Sequence, residues 1–209
     1  MSILVRALSR GVFVGALLAG QVMLAAEAVA ATDDYERLKN PVAVKPFSLV
    51  DQNGVRFNLQ SLKNHWSMIF IGFTTCPDVC PVTLGNLEAV RAEMGLRVSP
   101  ERIPRIIFLA VDPARDVPVL KEYLGYFHPQ YIGISGEVNQ IGSLINSLNA
   151  FYRLDKKHTD DNDYDVLHTA YVSLINPAGE MVAKLNPPFH PHKTAMYLSQ
   201  LISGVRFDD

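Results

Sequence analysis

The chain has 209 residues, 48% of them hydrophobic and 19% charged. That length suits one domain with a short appendage, and the apolar fraction excludes an unfolded chain, because enough surface can be buried to offset chain entropy. A net charge of −2 excludes a basic footprint for nucleic acid, and two cysteines exclude a disulfide scaffold or a four-cysteine zinc site.

Arg6 and Arg10 begin the chain with positive charge, and Gly11 to Ala26 is apolar apart from Gln21. This uncharged run of 16 residues falls short of the roughly 20 needed to cross a bilayer. Ala28-Val29-Ala30 offers small residues where a signal peptidase needs them. Residues 1–31 are therefore expected to be a cleaved signal peptide, or an uncleaved N-terminal membrane anchor. The absence of a nearby cysteine argues against a lipoprotein, and the lack of amphipathic Arg/Ser character argues against a mitochondrial transit peptide. The expected destination is the bacterial periplasm, soluble or anchored to the inner membrane, where an unprotected pair of close thiols tends to oxidise.

Residues 32–45 read as a polar linker, and 46–204 as the folded domain. Phe47–Val50 and Val55–Asn58 flank Asp51-Gln-Asn-Gly54 as an N-terminal β-hairpin. Ser67–Phe73 is a continuous apolar run, as expected of a strand buried on both faces. Leu84, Leu87, Val90 and Met94 recur at helical spacing until Gly95. Arg105–Val111 is a second buried strand, followed by a helix over Val117–Phe127 and a short strand at Tyr131–Ile134. A helix over Glu137–Ala150, a hairpin of Thr169–Ile175 with Met181–Leu185, and a last helix from Lys193 to Ile202 complete the pattern. This order predicts an α/β fold with a central mixed sheet and flanking helices. The thioredoxin-like plan fits it best.

The chemistry sits at Phe73-Thr-Thr-Cys-Pro-Asp-Val-Cys-Pro81, where a buried strand runs into a helix. Pro81 suits a first helical turn and biases Cys80 away from helical geometry, so Cys76 and Cys80 are expected on a loop capping the helix. The positive end of the helix there favours thiolate over thiol. Two thiolates alone make a redox pair, and a third soft donor would make a metal site. Of the six histidines, His65 and His128 read as surface or capping residues and His158 as part of a charged loop. His190 and His192 could form an auxiliary metal pair or a kinked surface loop. His168 differs, because it enters a strand directly from a long loop; by itself it reads as a ligand or as a core residue.

The segments 73–81, Ala110-Val-Asp-Pro-Ala-Arg-Asp116, Phe127-His-Pro129 and His168 with Leu174-Ile-Asn-Pro-Ala-Gly179 resemble the Sco/SenC copper-chaperone family over nearly the whole mature chain. The resemblance implies a thioredoxin-like domain that binds one copper per monomer, as Cu(I) or Cu(II), through Cys76, Cys80 and His168. Two thiolates and an imidazole suit copper, and no fourth protein ligand for zinc is evident. The implied role is copper delivery to the binuclear CuA centre of cytochrome c oxidase. The implied acceptor is the CuA-bearing subunit II, with a thioredoxin-like reductant or another copper chaperone as a further partner. Asp78, between the cysteines, reads as a surface charge or partner contact rather than a ligand. Asp112 and Asp116, at the end of the next strand on the same edge as the cysteine loop, could tune the site or meet a partner, and Asp116 could equally cap the helix from Val117. Leu167 stands where the family usually has Asp, which removes a carboxylate beside the histidine, and Thr169 replaces the usual Ser.

Two function classes share these residues: a non-enzymatic metallochaperone, and a thiol–disulfide oxidoreductase that reduces the cysteines of a partner's copper site. Peroxide reduction on the same fold is a third. His168 separates the first two, because a reductase does not need it. The three residues between the cysteines also depart from the two of thioredoxin-like reductases.

Overall fold

The computed structural model describes residues 34–156 and 164–204. The chain divides into Met1–Thr32 and Asp33–Asp209, and every described element belongs to the second unit. The expected signal or anchor segment and His158 lie outside the described residues. Among the described residues no helix is long and apolar enough to cross a membrane.

The chain enters as strand β1 (Tyr35–Ala43), then β2 (Ser48–Asp51) and β3 (Arg56–Asn58), followed by the single-turn helix α1 (Leu59–Leu62). Strand β4 (Ser67–Gly72) leads into helix α2 (Val79–Met94), and β5 (Arg105–Ala110) into the short α3 (Pro113–Asp116) and then α4 (Leu120–Phe127). Strand β6 (Ile132–Ser135) and helix α5 (Val138–Ser147) follow, then the strands β7 (Tyr152–Asp155) and β8 (Asp165–His168). The hairpin β9 (Val172–Ile175) and β10 (Glu180–Leu185) and the helix α6 (Pro191–Ile202) finish the domain.

Eight strands form one sheet in the order β1-β10-β9-β4-β5-β6-β2-β3, with β4, β5 and β6 parallel and their outer neighbours antiparallel. Alternation along the central strands builds two cores. Met68, Phe70, Ile106, Phe108 and Val172 face α2, α4 and α6, whereas Ile69, Ile71, Ile107 and Leu109 face α1 and α5. Burial on both faces explains why β4 and β5 read as unbroken apolar runs. The expected α/β, thioredoxin-like architecture is the one observed. Gly54 closes the β2–β3 turn at φ +78°, a conformation that costs glycine nothing.

Four local expectations are corrected. The linker over 32–45 is largely strand: Tyr35–Ala43 pairs antiparallel with β10 across a register shift. Its residues are mostly exposed and Pro41 interrupts it, so it carries no apolar period; the free edge of β10 decides its structure. Cys80 is helical, being the second residue of α2. In that first turn Pro81 needs no N–H partner, and the first intrahelical bond runs from Val82 N–H to the Asp78 carbonyl at 3.3 Å. The helix expected from Val117 begins at Leu120, because Asp116 spends its carboxylate elsewhere and α3 precedes it. Finally, β7 and β8 form a separate two-stranded sheet, Tyr152 opposite His168, where a loop was expected; the strand after it starts at Val172 rather than Thr169.

Candidate metal centre

The cysteine turn follows the carboxyl end of β4, with the Cys76 N–H donating to the Phe73 carbonyl at 3.3 Å. Cys80 is fully buried, Cys76 is 8% exposed, and both are free thiols. The Cys80 N–H donates to Cys76 Sγ at 3.4 Å, so the start of α2 already points a backbone dipole at that sulfur. Gly72 makes room for this arrangement. A Cβ there would stand 2.6 Å from the Phe108 ring and 3.1 Å from Cys80 Sγ. Its only mark in the sequence is a glycine ending an apolar strand.

His168 closes β8 and meets Cys80 from the opposite side, Nε2 lying 4.0 Å from Cys80 Sγ. Its Nδ1 is 2.9 Å from the Thr169 carbonyl, an atom that only accepts, so Nδ1 carries the proton and Nε2 presents its lone pair to the sulfur. Phe70 and Phe73 stand edge-on to the imidazole with centroids at 6.3 and 5.9 Å. Burial in this aromatic corner lowers the His168 pKa, with the Thr169 bond opposing, and keeps the ring neutral. Thr169 also fastens the hairpin: its N–H donates to the Phe151 carbonyl at 3.0 Å, and its hydroxyl accepts the Phe151 N–H at 3.0 Å.

For Cys80 the electrostatics reverse the expectation from the helix end. Burial pushes its thiol far up, further than the Phe73 backbone amide pulls it down. The resting form is therefore a thiol, and any metal taken up at this sulfur would have to displace its proton. Among the described residues no three His, Cys, Asp or Glu side chains are already gathered at metal-binding distances. The donor chemistry nevertheless fits a soft ion. Two donors at metal–ligand lengths of ~2.0–2.3 Å sit roughly 3.5–3.8 Å apart around one ion. The 4.0 Å separation of Cys80 Sγ and Nε2 needs only a small contraction to reach that.

Among the described residues none of the remaining candidates completes a metal-binding group with these donors. Asp78 is the exposed N-cap residue of α2 and makes no side-chain cap bond. Asp112 is buried beside α3, where its Oδ2 accepts from Arg115 and, at 2.7 Å, from the Tyr164 hydroxyl. Asp116 takes the Thr74 N–H at 2.7 Å and the Thr74 hydroxyl at 2.8 Å instead of capping a helix. Burial raises its pKa despite these bonds. His190 and His192 answer different acids, Asp34 at 3.1 Å and Glu93 at 3.2 Å, and His128 accepts the Gln130 N–H at the end of α4. Leu167 is 45% exposed on the outer face of β8.

A thioredoxin-like domain with a buried dithiol and a tautomer-fixed imidazole above the carboxyl ends of its parallel strands is the class that fold and site define. Residues 36–203 match the SCO1/SenC family, and the chain belongs to it. It is 39% identical over 135 residues to a SCO2-like protein of Rickettsia prowazekii, covering 64% of each chain. The match thus spans under two thirds of that relative's length. The structure resembles copper-bound ScoI of Bradyrhizobium japonicum at 36% identity and a TM-score of 0.65, covering 76% of this chain and 98% of that one. Copper-bound yeast Sco1 superimposes at 28% identity and a TM-score of 0.71, covering 78% of this chain and 90% of that one.

Proposed function

We propose that this protein is a copper chaperone that carries one copper per monomer on Cys76, Cys80 and His168 and delivers it to the CuA centre in subunit II of cytochrome c oxidase. The observation carrying the reading is the unprotonated Nε2 of His168 aimed at Cys80 Sγ across 4.0 Å. Copper-bound relatives of the same fold support it. Cys76, the less buried sulfur, is the first contact for incoming or outgoing copper, and Cys80 and His168 hold the cargo behind it. Export to the periplasm, through the segment 1–31, places the domain where such an acceptor would be assembled; a reporter fused after residue 31 that stays in the cytoplasm would argue against it. A Cys76–Cys80 disulfide formed in air would consume both thiols and release copper. The deciding experiment is copper stoichiometry of the reduced protein. One equivalent is expected, and equal binding by the Cys76→Ser, Cys80→Ser variant overturns the proposal.

One observation favours a second reading, thiol–disulfide exchange with a partner's copper site. Cys76 is the less buried thiol, at 8% exposed, and the residues just before it, Thr74 and Thr75, line a depression shared with Pro81, Glu122, Tyr123 and Phe127, while Cys80 is fully buried as a resolving thiol would be. Such a reductase keeps full function in His168→Ala, and the chaperone does not.

A further inference from the structure

Two buried carboxylates join the halves of this centre. Asp112 is the N-cap of α3 and Asp116 its last residue, and they are 1% and 0% exposed. Asp116 Oδ1 accepts both the N–H and the hydroxyl of Thr74, at 2.7 and 2.8 Å, and its Oδ2 accepts the Asp112 N–H at 3.0 Å. Asp112 Oδ2 accepts the Tyr164 hydroxyl at 2.7 Å and the Arg115 Nε–H. Arg115 returns to the same tyrosine, donating to its carbonyl at 3.3 Å and covering its ring at 3.7 Å.

The partners' positions give these bonds their meaning. Thr74 lies two residues before Cys76, and Tyr164 directly precedes β8, the strand that ends on His168. Strands β7 and β8 share no ladder with the eight-stranded sheet, so the hairpin is held to the domain by side chains: Val166 in the core, His168 against Phe70, and the hydrogen bonds of Tyr164. Hydrogen bonds to a charged acceptor in a dry setting are the strong kind.

We propose that Asp112 and Asp116 are positioning residues forming one two-armed clamp: Asp116 holds the cysteine turn through Thr74, and Asp112 holds the histidine hairpin through Tyr164. The separation of Cys80 and His168 is thereby set from α3. The consequence for copper rests on the chaperone reading; the clamp itself does not.

Two variants test the arms separately, Thr74→Val and Tyr164→Phe, each deleting one hydroxyl donor. In the reduced, metal-free protein, Tyr164→Phe should raise amide exchange in β8 about tenfold with β4 and β5 unchanged. Thr74→Val should speed alkylation of Cys76 by iodoacetamide, and Thr74→Ser, which keeps the donor, should restore the wild-type rate. With Cu(II) added, both deletions should shift the sulfur-to-copper absorption and lower affinity about tenfold, as for other groups that orient ligands. Wild-type exchange and alkylation in the deletion variants overturn the clamp. So do altered exchange and alkylation with an unaltered Cu(II) spectrum and affinity, which would make the pair merely structural. Should Thr74→Val not fold, Tyr164→Phe alone decides. If the wild type binds no copper, the chaperone reading fails by itself, while exchange and alkylation still decide the clamp.

Discussion

Cys80 Sγ and His168 Nε2 stand 4.0 Å apart although 88 residues separate them in the chain. One belongs to the first turn of a helix packed on the central sheet, the other to a hairpin outside that sheet. Their meeting depends on Gly72 admitting the sulfur against β4 and on the Thr169 carbonyl turning the imidazole.

Removing the imidazole tests the third donor. His168→Ala should leave the eight-stranded sheet intact and lower Cu(II) affinity by at least about tenfold. Cu(I), which accepts two sulfurs alone, should suffer less. Competition against a chromogenic chelator measures both, and wild-type Cu(II) affinity in the variant would reject the assignment.

Copper uptake should be linked to protons through Cys80 and not His168. The thiol pKa is raised by burial, so near neutral pH it holds a proton that copper must displace, while the histidine is already neutral. Apparent Cu(I) affinity should therefore rise with pH, about tenfold per unit for each proton released. Titration in weakly buffered solution reads the release directly; uptake without proton release contradicts the prediction.

The same histidine should shape acid stability of the metal-free protein. Its folded pKa lies below the ordinary 6.5, so the unfolded chain takes up the proton first. Stability is complete above about pH 6.5 and falls as pH drops from there toward the folded value. His65 shifts in the same direction, so the comparison is with His168→Gln, whose urea midpoint should fall less between pH 7 and pH 5.5. Parallel profiles would argue against a buried neutral ring.

Gly72→Ala should destabilise the protein by about 1–3 kcal/mol, the usual cost of overpacking, because the Phe108 ring at 2.6 Å leaves no space for a methyl. Urea unfolding measures this, and Cu(II) binding should weaken with it as Cys80 is displaced. An unchanged midpoint would show that the ring can move aside.

Tyr35 tests whether the N-terminal segment is part of the domain. It stacks on Tyr197 of α6 with centroids 3.5 Å apart and an interplanar angle of 12°. Tyr35→Ala should cost at least about 1 kcal/mol, lowering the melting temperature by roughly 2–4 °C for a chain of this size. A melting point identical to wild type would show that the Tyr35–Tyr197 stack does not help to hold β1 on the domain.

What could be read without coordinates follows from periodicity and local chemistry. The unbroken runs at 67–73 and 105–111 mark strands buried on both faces, Leu84, Leu87, Val90 and Met94 mark one side of α2, and Asn53-Gly54 marks a turn; each signal lies within a few neighbouring residues. The cysteine pair stood out for the same reason, while His168 gained its weight from resemblance rather than from its own surroundings. Strands β7 and β8 were legible in principle, since Tyr152, Leu154, Val166 and His168 alternate, but a charged stretch between them hid the pairing. Edge strand β1 was not legible, because an exposed strand is specified by the partner's free N–H and C=O groups and not by its own side chains. The raised thiol, the further lowering of the histidine pKa, its fixed tautomer and the Asp112–Asp116 pair belong to tertiary structure alone. Desolvation and hydrogen bonding depend on which distant residues surround a group, and only the folded chain brings residues 74, 80, 112, 116, 164 and 168 to one edge of the sheet.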